Sequence, residues 1–144
     1  MRKILALFIV TFSIFIPSIS HALIEVDITR GNLNPLPISV SPLFSDKTSS
    51  ELLKKELKIG DIGSEIAKVV ENNLKQTGLF NPLDKKSFLQ KPDIAHLKPR
   101  FEDWNLIKTQ ALVTGKVSYE DQKLRVEFRL WDVLAGREML ALAF

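Results

Sequence analysis

Few side chains in this sequence could act as an acid, base, nucleophile or metal ligand, and they are scattered. Cysteine is absent, and His21 and His96 are the two histidines. Thiol catalysis and zinc–thiolate centres are thereby excluded, and His96 alone cannot supply the paired histidines of a zinc protease. Gly60-Asp61-Ile62-Gly63 sets two glycines ahead of a helix. A phosphate-cradling loop needs a third glycine or a Gly-Lys-Ser/Thr ending, so the run reads as a flexible approach to a helix capped by Asp61. Glu102 and Asp103 are adjacent carboxylates in the first turn of a short helix, where the positive end of the dipole favours acids. Arg125, Glu127 and Arg129 alternate along a strand, which suits cross-strand pairing on a wet face rather than an active site. The expectation is a protein that is not an enzyme, with no catalytic residue, no cofactor and no metal site.

The first 22 residues carry a different message. Arg2 and Lys3 precede an apolar run, Ile4 to Ile16, and Ser20-His21-Ala22 then supplies a small-x-small cleavage pattern. This is the plan of a secretory signal peptide. The run of 13 residues is shorter than the ~20 needed to span a bilayer as a helix. An uncleaved anchor or a buried core helix is the competing reading. Cleavage between Ala22 and Leu23 is preferred, which removes His21 and sends the remainder to the periplasm. The net charge of +3 then falls to +1, because Arg2 and Lys3 leave and residues 1–22 hold no acid. No basic face for nucleic acid follows from such a balance. The remaining 122 residues suffice for one domain with its own core. Without cysteine that domain is held by packing alone, and no lipid is attached through a thioether.

The elements follow from periodicity. Leu23 to Thr29 alternates Ile24, Val26 and Ile28 with Glu25, Asp27 and Thr29, a strand with one wet face. Beside a free terminus, such a strand suits pairing with a partner's sheet edge; packing into the domain's own sheet fits equally. Pro37 to Phe44 reads as a second strand bracketed by prolines. Thr48 and Glu51 resemble a capping box for a short helix through Leu57; a long, partly ordered loop fits equally. Ile62, Ile66, Val69, Val70 and Leu74 recur at helical spacing and predict a helix from about Asp61 to Thr77, closed by Gly78. A short strand over Leu79–Leu83 and a two-turn helix over Pro99–Ile107 follow, with Phe101 and Trp104 as core residues. Three antiparallel strands end the chain: Ala111–Tyr119 with a bulge at Gly115, Lys123–Asp132 with Leu124, Val126, Phe128 and Leu130 inward, and Arg137–Phe144.

The runs Ala111-Leu112-Val113-Thr114-Gly115-Lys116-Val117 and Leu124 to Glu138, above all Arg129-Leu130-Trp131-Asp132-Val133-Leu134-Ala135-Gly136, resemble the amino-terminal domains of the TolB family. Pro37 to Pro42, Asn73 to Phe80 and Phe101-Glu102-Asp103-Trp104 resemble them as well. The likeness covers essentially all of residues 23–144. It implies an α/β fold, a mixed sheet with helices on both faces, similar to anticodon-binding domains. It also implies a periplasmic role in the Tol–Pal system, in outer-membrane integrity and in envelope constriction during division.

In that family the first residues after cleavage engage the inner-membrane protein TolA. Here they correspond to Leu23 through Asn34, with Leu23, Ile24, Glu25, Val26, Asp27, Ile28, Thr29 and Arg30 as the binding strand. The family's β-propeller, which binds Pal, has no counterpart in the sequence. The resemblance therefore implies a truncated chain, incomplete at its C-terminus, and no Pal-binding residue can be assigned. Neither nucleic acid nor membrane insertion after cleavage is expected. A small-ligand or nucleotide-binding accessory domain is the alternative. A further helix in the family would cover one face of the sheet formed by residues 111–144, so residues 23–144 alone are expected to be aggregation-prone or molten.

Overall fold

Alternation of apolar and polar residues places the centre of the sheet between residues 111 and 132. The computed structural model describes residues 34–56 and 58–144; the expected signal peptide, the strand Leu23–Thr29 and Leu57 lie outside them. Strand β4 (Ala111–Glu120) pairs antiparallel with β5 (Lys123–Asp132) over ten successive residue pairs. Asp121 and Gln122 form the turn at φ of 50° and 60°, the left-handed pair that matches strand twist in a two-residue hairpin. Strand β6 (Arg137–Ala143) adds antiparallel to β5, with a register irregularity that inserts Met139 between Glu138 and Leu140. Gly136, at φ of 63°, turns the chain between them.

On its other side β4 pairs in parallel with β1 (Leu36–Val40) and with β2 (Phe44–Ser45). The parallel partner β3 (Phe80–Pro82) closes the order β3-β1-β4-β5-β6. The expected single strand over Pro37–Phe44 is thus two strands. Pro42 lacks an N–H for a ladder, and the chain there leaves β4. Leu43 turns inward instead, 3% exposed, and its N–H donates to the carbonyl of Gly63 at 3.2 Å. Gly115 is not a bulge, because the β4–β5 register runs through it unbroken. A Cβ there would collide with the Glu127 carbonyl and press on Leu43, so the position requires glycine.

Helices cover both faces. On the first lie α1 (Lys47–Glu56) and α2 (Ile62–Gln76). Val40, Leu43, Leu53, Ala67, Val117 and Tyr119 form the core beneath them, with Ile62, Ile66, Val70 and Leu74 packed against it. Val69, expected inward, is 58% exposed. The α2 cap is as the sequence implies: Asp61 accepts from Ser64 N at 3.0 Å, and Gly78 takes φ of 72° just past the end. Gly63 is not a hinge. Its missing side chain admits the backbone of Leu43, whose carbonyl a Cβ would strike.

The cap of α1 differs from expectation. Asp46, not Thr48, accepts from Ser49 N at 2.8 Å and from the Ser49 hydroxyl at 3.0 Å. That hydroxyl also accepts from Tyr119 N at 3.1 Å, fastening the helix to β4.

The second face carries α3 (Pro92–Ala95) and α4 (Phe101–Leu106) over Ala95, Trp104, Leu112, Trp131 and Val133. Phe101 meets Trp131 edge to face at 5.8 Å. The indole of Trp131 donates to Thr114 at 2.8 Å, and Ser39 and Thr109 share a buried hydrogen bond of 2.7 Å. Gln90, 4% exposed, accepts from Trp104 Nε1 at 2.8 Å and from Arg100 N at 3.1 Å. One side chain thereby satisfies a buried indole and the start of α4.

Two outcomes follow. The Ser49 hydrogen bonds, chiefly that from the backbone N–H, hold the Asp46 carboxyl below its ordinary value. A depressed folded pKa contributes stability that is present above the unfolded value, near 3.8, and is lost as pH falls through the folded one. Asp46→Ala should cost about 1 kcal/mol at neutral pH and flatten the acid side of the stability profile, read by urea unfolding from pH 7 to 2. Gln90→Ala strands two donors and should cost about 2 kcal/mol or more, read by denaturation followed in the near-ultraviolet.

Candidate interaction surfaces

The residues expected to bind a partner, Leu23 to Arg30, and the cleavage pair Ala22 and Leu23 lie outside the described residues. Within the described residues, His96 and Asp103, two of the side chains that could do chemistry, are held by neighbours. His96 stacks on Phe44 with ring centroids 4.2 Å apart and planes 8° from parallel, and its Nδ1 lies 3.0 Å from the Pro92 carbonyl. Donation from Nδ1 leaves Nε2 as the nitrogen open to another partner. Asp103 of the acidic pair is bound by Arg100 at 2.6 Å. No group of three or more histidine, aspartate or glutamate side chains that could hold a metal ion occurs among the described residues.

A pocket of about 160 Å³ opens on the second face, lined by His96, Leu97, Gly115, Lys116, Glu127 and Arg129. It lies against the C-terminal end of α3, where the strands present charge instead of apolar side chains. Arg125 pairs with Glu127 at 2.8 Å along the same strand, and Arg129 reaches Glu138 on β6 at 3.4 Å. The expected cross-strand pairing therefore holds for the second pair and not for the first. The Arg125 hydrogen bond, joined by attraction to Arg125, Lys116 and Arg129, holds the Glu127 carboxyl below its ordinary value. The field of Lys116 also reaches Asp46. A second, more open groove of about 450 Å³ runs between α2 and the segment after β3, lined by Lys68, Glu71, Asn72, Pro82, Asp84 and Lys85, with Lys85 and Glu71 3.4 Å apart.

The third feature is apolar. On the first face of β5 and β6, Leu124, Leu140, Leu142 and Phe144 are 39%, 49%, 46% and 75% exposed. Leu124 and Leu130 were expected inward with Val126 and Phe128. Val126 and Phe128 do pack on the first core, Leu130 is half-buried, and Leu124 lies exposed near the hairpin tip. Helices α1 and α2 pack over the β1–β4 part of that face, and among the described residues no helix lies above the side chains of β6. The His96–Phe44 stack and the Gln90 clamp escaped sequence reasoning because each joins residues far apart in the chain and neither follows a periodic pattern.

A mixed sheet with helices on both faces and separate cores beneath them defines a small α/β domain. Residues 24–139 match the model of the TolB amino-terminal domain, and the chain belongs to that family. It is 74% identical over 131 residues to the Tol-Pal system protein TolB of Pelagibacter ubique (strain HTCC1062), covering 91% of this chain and 29% of that protein. The chain thus spans less than a third of the relative's length. TolB from Acinetobacter baumannii shares the fold at a TM-score of 0.52 and 19% identity, covering 76% of this chain and 23% of that one. The LpoB C-terminal domain from Escherichia coli shares it at 0.55 and 11%, covering 79% and 84%.

Proposed function

We propose that the chain is a non-enzymatic interaction domain of a Tol–Pal system protein, exported to the periplasm. It contributes to outer-membrane integrity and to envelope constriction during division through protein–protein contacts. The observation that carries this reading is the 74% identity to a Tol-Pal system protein together with the family match over residues 24–139. The signal-like residues 1–22 precede that match, which supports a domain spanning 23–144. The non-enzymatic reading is supported by where the polar side chains are spent: His96 on Phe44 and Pro92, and Asp103 on Arg100.

The partner in this reading is a TolA-like inner-membrane protein, engaged by the strand Leu23–Arg30. Main-chain pairing would supply affinity, and Ile24, Val26 and Ile28 on one side with Glu25 and Asp27 on the other would set register. Contact with Pal belongs to the propeller of the longer relatives. The alternative, binding of a small ligand or nucleotide, is disfavoured by the two pockets found among the described residues. The pocket near His96, about 160 Å³, is smaller than the ~300–1,000 Å³ usual for such sites, and the larger groove is open and rimmed by charge.

Deleting Leu23–Asn34 should abolish binding to the periplasmic region of the TolA-like protein, measured by calorimetry. Unchanged binding would remove the strand assignment, and saturable nucleotide binding that survives the deletion would favour the alternative. Mass spectrometry of exported protein should find Leu23 as the first residue. Met1 retained in the membrane fraction would mean an anchor instead.

A further inference from the structure

The second face of the sheet holds a charge that its neighbours leave unpaired. Lys116 of β4 lies opposite Glu127 of β5 in register, yet the Glu127 carboxylate turns along its own strand to Arg125 at 2.8 Å. Among the described residues Lys116 makes no ion pair, although it is half-buried. Arg129, on the same face of β5, reaches Glu138 only at 3.4 Å. Two cations thus flank one carboxylate that is already engaged, and all three line the pocket of about 160 Å³ beside His96. A half-buried cation without a partner attracts an anion more strongly than one in open water, because the local dielectric is lower.

Contacts inside the domain fix the walls of this pocket. Phe44 is the register partner of Lys116, so both project from the second face, and His96 stacks on Phe44. The Pro92 carbonyl accepts from Nδ1 of His96, which leaves Nε2 of the neutral ring as an acceptor. Leu97, 68% exposed, stands at the mouth. No residue of β6 lines the pocket. A helix laid on the sheet needs apolar side chains beneath it, and those exposed on β5 and β6 stand on the first face; this pocket opens on the second. Its volume is below the ~300–1,000 Å³ of small-molecule sites and suits one side chain.

We propose that this pocket is a socket for a single acidic side chain of another protein. The carboxylate sits between Lys116 and Arg129, and a main-chain N–H beside it donates to His96 Nε2. The need for both groups selects a glutamate or aspartate within a polypeptide over a free carboxylic acid, which brings no amide. The socket rests on neither the strand Leu23–Arg30 nor its partner, so the deletion that tests that strand should leave this binding unchanged.

The test uses the full chain and acetyl-Glu-methylamide, read by saturation-transfer difference NMR, which detects weak ligands on dilute protein. Acetyl-Gln-methylamide and propionate are the controls. The glutamate compound should bind saturably and about tenfold more tightly than either, the effect of one charge-assisted hydrogen bond. Lys116→Met keeps the aliphatic stem and removes the charge, so it should weaken the glutamate compound about tenfold and leave the glutamine one unchanged. Leu97→Glu sets a competing carboxylate at the mouth and should weaken it as well. An unchanged near-ultraviolet signal from Trp104 and Trp131 establishes that each variant is folded. Leu97→Glu alters an exposed position, so it keeps the test decisive should Lys116→Met fail to fold. Equal binding of the glutamine compound, or full binding to either folded variant, would overturn the proposal, as would the lack of saturable binding. Equal binding of propionate would make the pocket a free-anion site and overturn it equally.

Discussion

Strand β4 is the member on which the rest of the structure depends, and Gly115 is its critical point. Along one side β4 is paired through its full length with β5. Along the other it holds β1 at Ala111–Val113 and β2 at Lys116–Val117, with Leu43 closing over the gap between them. The Glu127 carbonyl and the Leu43 side chain together occupy the space a Cβ at Gly115 would need. The same Leu43 receives the backbone of α2 at Gly63. Two glycines far apart in the chain therefore admit one leucine from opposite sides, which locks β1, β2, β4 and α2 together.

Because β4 is central, its period of two divides the molecule. Val113, Val117 and Tyr119 turn to α1 and α2, while Leu112 and Thr114 turn to Trp131 and the α3–α4 side. Each side is pinned by hydrogen bonds as well as by packing: Ser49 and Asp46 on one, Gln90, Thr114 and the Ser39–Thr109 pair on the other. A buried polar group that lost its partner would cost more than the bond contributes, so these contacts select one arrangement of the helices over others of similar hydrophobic burial.

Both helical layers thin out toward β6. Among the described residues that asymmetry concentrates the exposed features on one side, with an apolar row on one face and the charged pocket beside His96 on the other. Family membership accounts for the architecture. The likeness to the LpoB domain at 11% identity extends to the fold alone, so the use of these surfaces rests on the residues present here.

Much of the architecture was legible in the chain before folding. Local periodicity marked α2, its Asp61 cap and Gly78 terminus, the β4–β5 hairpin, and the third strand from Arg137. Such features depend on neighbours within about one turn or one hairpin, so sequence alone determines them. The resemblance carried by Arg129 to Gly136 pointed to the family and hence to a mixed sheet. The candidate binding strand was legible as alternation, yet its occupant was not, because alternation specifies a wet and a dry face and never says against what.

Only the tertiary structure decided the split of Pro37–Phe44 into two strands and the exposure of Val69, Leu124 and Leu140. It alone brought His96 to Phe44 and Gln90 to Trp104. Each is settled by which distant backbone or side chain occupies a given space. That information resides in no single segment of the chain, and arises when the strands on either side of β4 close around Gly115.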